Sequence, residues 1–131
     1  MIRGVMLTHG NLGEALVQTA ERIVGPVKNL SNVSSTGMSP KDLKIHLEKL
    51  VQSDDEINSA CLIFVGLKGG HPWHVACRIA RHHPNVSVIS GVNLPMFLSF
   101  LIKRESLSFS ELIKQLKTDA YRGIDVFTGD Q

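Results

Sequence analysis

Six histidines are the unusual count in this chain of 131 residues, and chemistry is sought among them first. His9 closes a short apolar run, Ile2 to Thr8, and is followed by Gly10 and a stretch with helical periodicity. A residue between a strand and a helix start meets unpaired backbone N–H groups and the positive end of a helix dipole. Both favour a bound anion. An imidazole in front of an anion site suits phosphoryl transfer through histidine, where catalysis is mostly positioning and charge stabilisation. On position alone, a loop histidine with no chemical role fits equally well.

The other candidates are weaker. Gly69-Gly70 would let backbone amides approach a phosphate closely, yet adjacent glycines more often just make a tight turn. Lys68 beside them is placed to pair with a phosphate or an acidic partner, or is simply solvated. The sequence has no G-x-x-x-x-G-K-[ST] pattern, which disfavours an NTPase. His71, His74 and Cys77 are spaced i, i+3, i+6, but residues at that spacing drift round a helix, and no fourth metal ligand is evident. No metal or cofactor is expected. His82-His83, just before Pro84, suits a helix end, and His46 lies off the apolar stripe of its helix. Gly91-Val92-Asn93-Leu94-Pro95-Met96 reads as a strand–turn–helix junction, with Asn93 as N-cap and Pro95 in the first turn.

The elements that would position these residues alternate in type. Ile2 to Thr8 is a strand. A helix follows with Leu12, Ala15, Leu16, Thr19, Ala20, Ile23 and Val24 on one face. Asn11 and Glu14 suggest a variant capping box, and Gly25-Pro26 stops the helix. Lys28 to Ser34 is a weaker strand. Ser39-Pro40 opens a second helix, with Leu43, Leu47, Leu50 and Val51 inward. Ala60 to Val65 is continuously apolar, as a strand covered on both faces should be. Gly66 to Pro72 is a glycine-rich loop. A third helix follows, with Val75, Ala76, Ile79 and Ala80 inward. Val86 to Ser90 is a fourth strand. Asn93 opens a fourth helix, Ser108 with Glu111 caps a fifth ending near Gly123, and Ile124 to Phe127 is a last short strand. The alternation predicts a single α/β domain over 1–131, a doubly wound and mostly parallel sheet with right-handed crossovers. In the common order 2-1-3-4 the ligand crevice lies between strands 1 and 3. Thr8, His9, Gly10 and Asn11 would then face Gly66, Lys68, Gly69, Gly70 and His71.

Composition narrows the partners. Charged residues make up 20% and apolar residues 43% of the chain, which suits an ordinary folded domain. A net charge of +2 and 5% aromatics give little basis for binding nucleic acid or a membrane surface. No apolar run reaches the ~18 residues of a membrane span, and the N-terminus lacks the pattern of a secretory signal. Cys61 and Cys77 sit in apolar runs and are expected as free thiols in a cytoplasmic protein.

Together the His-Gly junction, the Ser39-Pro40 helix start, Leu67-x-Gly69-Gly70-x-Pro72 and Gly91-Val92-Asn93-Leu94-Pro95-Met96 resemble the mannose-type IIA domains of the bacterial phosphoenolpyruvate-dependent sugar phosphotransferase system (PTS), in order and along almost the whole chain. The resemblance implies a phosphocarrier. His9 would accept a phosphoryl group from HPr and pass it to a IIB domain, and a terminal antiparallel strand, here Ile124 to Phe127, would often be exchanged in a homodimer. The family carries an Asp where this chain has Gly66, and that carboxylate orients the active histidine. It carries a Ser where this chain has His71, and a bulky residue facing the docking surface where this chain has Lys68. Loss of such an orienting group costs on the order of 10 to 10⁴ in rate. Two expectations follow: either His71 compensates by orienting His9 or holding the phosphate, or the chain is a IIA-like regulatory or binding module that no longer turns over.

Overall fold

The computed structural model describes residues 1–52 and 59–129. Along the chain run β1 (Arg3–Thr8), α1 (Leu12–Val24), β2 (Leu30–Ser34), α2 (Pro40–Gln52), β3 (Cys61–Val65), α3 (Gly70–His82), β4 (Val86–Ser90), α4 (Leu94–Lys103) and α5 (Phe109–Arg122). The four strands form one parallel sheet in the order β2-β1-β3-β4. This is the doubly wound order expected from the alternating pattern. Strand order reverses at β1, so the loops leaving β1 and β3 diverge and open a crevice between them.

Alternation along the strands divides the core in two. Val5 and Leu7 of β1 and Cys61, Ile63 and Val65 of β3 point to one side, where Leu43, Leu47 and Val51 of α2 and Val75, Ala76 and Ile79 of α3 cover them. Met6, Leu62 and Phe64 point to the other, under Ala20 of α1, Met96, Phe97 and Phe100 of α4 and Leu112, Leu116 and Ala120 of α5. There Phe64 meets Phe97 and Phe100 edge-on, with ring centroids 5.7 and 4.9 Å apart. Each such contact adds about 0.5–1.5 kcal/mol to simple burial. The central strands β1 and β3 are thereby held on both faces, and the residue after β1 is His9.

Four details differ from the sequence pattern. The buried side of α1 is a line of small residues, Gly13 and Ala20, flanked by half-buried Leu16 and Val17; Leu12, Ile23 and Val24 are exposed. Closest approach to the sheet follows the smallest side chains, not the most apolar ones. A Cβ on Gly13 would lie 2.8 Å from Met6 Cγ and from Thr8 Oγ1, so only glycine lets α1 sit this low. Asn11 makes no side-chain capping bond, because the Gly13 N–H it would have captured donates to Thr8 Oγ1 at 2.8 Å. The stretch expected as a loop to Pro72 turns helical at Gly70, after Gly69 and Gly70 take positive φ values of 95° and 76°. Ile124 to Phe127 forms no strand in the single chain. A strand needs a ladder partner, and this exposed tail hydrogen-bonds to neither edge of the sheet.

The other junctions form as the residues dictate. Asn93 Oδ1 accepts from Met96 N at 2.9 Å at the start of α4. Ser108 and Glu111 make a reciprocal capping box on α5, which holds the Glu111 carboxyl below its ordinary pKa. Asp119 on α5 accepts from Lys103 Nζ at 2.7 Å and from Ser99 Oγ at 2.5 Å on α4. These bonds pull its pKa down to about 2 and clasp the two helices.

Candidate functional site

The site begins at the carboxyl edge of β1 and β2. Their parallel register pairs Thr8 with Ser34, so the next residues, His9 and Ser35, leave the sheet side by side. The ladder runs one step further, with Ser35 N donating to Thr8 O at 2.9 Å. Gly10 N donates to Thr36 Oγ1 at 2.8 Å. Together with the bond from Gly13 N to Thr8 Oγ1, these contacts tie the His9 loop to the end of β1 and to the turn after β2.

The His9 ring is exposed, but one of its nitrogens is held. Nδ1 lies 2.8 Å from Ser35 Oγ, and Ser35 is 2% exposed. Nε2 has no protein partner among the described residues. Thr8 and Ser35 are two of the four buried polar or charged residues described in the chain; Thr8 precedes His9, and Ser35 bonds its ring. Residue type alone does not single out Ser35 and Thr36. The signal that finds them is the hydroxyl run Ser34-Ser35-Thr36 at the end of a strand that the order 2-1-3-4 places next to β1.

Across the crevice, Thr8, His9, Leu12, Gly66, Lys68 and Gly70 help line a cleft of about 580 Å³. His71, in the first turn of α3, is edge-on to His9, with ring centroids 6.5 Å apart and planes at 78°. It makes no hydrogen bond to His9, and its buried Nε2 has no partner. The group on His9 Nδ1 is Ser35, so the orienting role expected of His71 has no hydrogen bond behind it. Gly66 supplies no side chain to the site. A Cβ there would meet only Leu12 Cδ2 at 3.7 Å and Thr8 Cγ2 at 3.8 Å, both ordinary contacts. Gly10, Asn11 and Lys68 are exposed at the rim.

The electrostatics favour an anion on the α3 side. On α1, the Leu12 N–H points to His9 O at 3.4 Å, and the Gly13 N–H is already spent on Thr8. At α3 the residue before the helix is Gly69, which has no capping side chain, so first-turn N–H groups are left for solvent or an anion. Burial pushes the Cys77 thiol up, against a slighter lowering by Arg81, which works against a thiolate there. Among the described residues no group of three His, Cys, Asp or Glu side chains converges as a metal site, and His71, His74 and Cys77 are no exception. No helix described is long and apolar enough to cross a membrane.

Fold and site thus define an open α/β domain that presents one oriented histidine at the switch point of its sheet. The chain belongs to the EIIA family of sugar phosphotransferase systems: the family model of the PTS system fructose IIA component (EIIA-man) matches residues 4–117. It is 33% identical over 121 residues to the sorbose-specific EIIA component of Klebsiella pneumoniae, covering 92% of this chain and 87% of that one. It is 30% identical over 110 residues to the mannose-specific EIIAB component of Escherichia coli K12, covering 83% of this chain but only 34% of that longer protein. Its fold matches the crystal structure of an EIIA component from Streptococcus agalactiae with a TM-score of 0.87 at 24% identity, covering 96% of this chain and 97% of that one.

Proposed function

We propose that the chain is a phosphohistidine carrier that takes a phosphoryl group from HPr onto His9 and passes it to a IIB domain, in sugar uptake or its regulation in the cytoplasm. The observation that carries this reading is the His9 ring itself: held at Nδ1, without a protein partner at Nε2, at the mouth of a cleft edged by the start of α3. In the transfer, the Nε2 lone pair attacks phosphorus in line. The bond from phosphorus to the donor atom breaks, that atom keeps the electron pair, and a P–Nε2 bond replaces it. The free N–H groups of α3 face the charge on the phosphoryl oxygens. Passage to the IIB domain is the same displacement with phospho-His9 as donor.

The carrier acts as a homodimer. Ile124, Val126 and Phe127 are 68%, 79% and 84% exposed, an apolar tail left mostly uncovered by the described residues. Beside β4, a groove of about 500 Å³ lined by Trp73, Val88, Ile89, Met96 and Tyr121 offers the tail of a second copy a place to lie. The open edge of β4 offers it a ladder.

The test is to incubate the chain with phosphoenolpyruvate, enzyme I and HPr and to look for an acid-labile, alkali-stable phosphate that vanishes in His9→Ala. Its appearance and onward transfer to a IIB domain establish the carrier. A second reading, a binding or regulatory module that does not turn over, is favoured by the missing side chain at Gly66. That reading wins if wild type stays unphosphorylated with its cognate HPr.

A further inference from the structure

We propose that Ser35 is the positioning residue of His9, doing with a neutral hydroxyl what fixes the ring for transfer; this deepens the carrier reading and rests on it. A ring held by nothing turns about its side-chain torsions and offers either nitrogen to solvent. Here Nδ1 lies 2.8 Å from Ser35 Oγ, so Nε2 is the nitrogen turned away from the held side. The attacking tautomer must carry its proton on Nδ1 and its lone pair on Nε2. A serine hydroxyl has one hydrogen to give and two lone pairs to accept with. In the reactive arrangement Oγ accepts the Nδ1–H and turns its own hydrogen toward Thr8 O, an acceptor-only group 3.5 Å away.

Ser35 suits this task because of how it is built in. It is 2% exposed, so water does not compete for its hydroxyl. Its backbone N–H is bonded to Thr8 O, which extends the β1–β2 ladder and sets Oγ from the sheet, not from a free loop. No other described side chain bonds His9: His71 is edge-on without a hydrogen bond, and Gly66 has no side chain.

A hydroxyl also behaves differently from an ionised acceptor. It adds no charge opposite the ring as the P–Nε2 bond forms and the imidazole becomes more positive. Once the Nδ1 proton of the phosphoimidazole passes to solvent water, which reaches the exposed His9 residue, the same hydroxyl turns and donates to the bare nitrogen, which a carboxylate cannot do. Both faces of the cycle, attack and resting phosphohistidine, are served by one rotation about the Ser35 Cβ–Oγ bond.

Ser35→Ala removes the hydroxyl alone and keeps the backbone bond to Thr8. Nitrogen-15 NMR of His9 in alkaline solution reads the tautomer directly and needs no phosphoryl donor. Wild type should populate the Nδ1–H tautomer more than Ser35→Ala, which should revert toward the Nε2–H form favoured by free imidazole side chains. The rate of His9 phosphorylation by HPr should fall about 10- to 100-fold in the variant, the usual effect of losing a partner that orients an active group. An unchanged tautomer ratio overturns the proposal, and so does a changed ratio with an unchanged rate. If wild type itself accepts no phosphate, the carrier reading falls, while the tautomer comparison still decides whether Ser35 orients the ring.

Discussion

Replacing Gly13 by Ala tests how the site is positioned, because the added methyl has an address. Its Cβ would stand 2.3 Å from Asn32 Oδ1, 2.8 Å from Met6 Cγ and 2.8 Å from Thr8 Oγ1. Asn32 is exposed and can swing aside, but Met6 and Thr8 are 0% and 3% exposed and cannot. Restoring ordinary contact at 3.4 Å opens the gap by about 0.6 Å. That carries the Gly13 N–Thr8 Oγ1 bond from 2.8 Å to about 3.4 Å, beyond good hydrogen-bond range. Overpacking of this kind costs about 1–3 kcal/mol, and the lost bond to a buried hydroxyl about 1 kcal/mol more. Alanine's better helix propensity returns about 1 kcal/mol. The net loss is about 2 kcal/mol, or a fall in Tm of about 8 °C for a chain of this size. Because Thr8 carries His9, the same displacement should slow phosphorylation about tenfold, as sub-ångström to ångström errors in a catalytic group do. Thermal unfolding followed by circular dichroism and a single-turnover phosphorylation assay read the two effects. A Tm equal to or above wild type would show that α1 does not rest on the sheet at Gly13, and the reasoning would be wrong.

Three further outcomes follow from the same geometry. Asp119, held at a pKa of about 2 chiefly by its hydrogen bonds to Lys103 and Ser99, stabilises the fold above pH 4, and this contribution disappears as pH falls from about 4 to 2. With Lys103 38% exposed, the contribution is about 1 kcal/mol, seen as an acid-side drop in the denaturant midpoint that Asp119→Asn should lack. Gly66→Asp should fold normally, since its Cβ meets nothing closer than 3.7 Å. By adding a carboxylate beside the His9 cleft, it should raise the phosphorylation rate about tenfold, read in the same single-turnover assay. Truncation after Gly123 removes the apolar tail and should shift the chain from dimer to monomer in sedimentation velocity, while the monomer keeps its Tm to within about 2 °C because Ile124, Val126 and Phe127 are 68%, 79% and 84% exposed and bury little in their own chain.

The sheet was readable because its signals are local and redundant. Cys61 to Val65 is a continuous apolar strand, Asn93 and Ser108 cap the helices they precede, and the alternation of elements leaves few parallel topologies. His9 was readable because it stands at a strand–helix junction. What the sequence hid depends on three-dimensional neighbours. Ser35 matters only because the Thr8–Ser34 register brings it to His9 from 26 positions along the chain. Asn11 has the right identity for a cap, but Thr8 reaches the Gly13 N–H first. Ile124 to Phe127 has the composition of a strand, yet pairing needs an edge that one chain alone does not bring to it. Of the two roles the sequence suggests for His71, orienting His9 has no hydrogen bond behind it, because the sheet register puts a hydroxyl on Nδ1.

The hydroxyl that steadies the histidine hangs from the last rung of an outermost strand. Among the described residues β2 has one neighbour, β1, and its other flank carries no ladder. Outermost strands are where sheets breathe first, through openings much smaller than global unfolding. Warming should therefore loosen the grip on His9 well before the two cores melt. On the proposed carrier reading, phosphoryl transfer would stop while most of the amides were still protected from exchange with solvent.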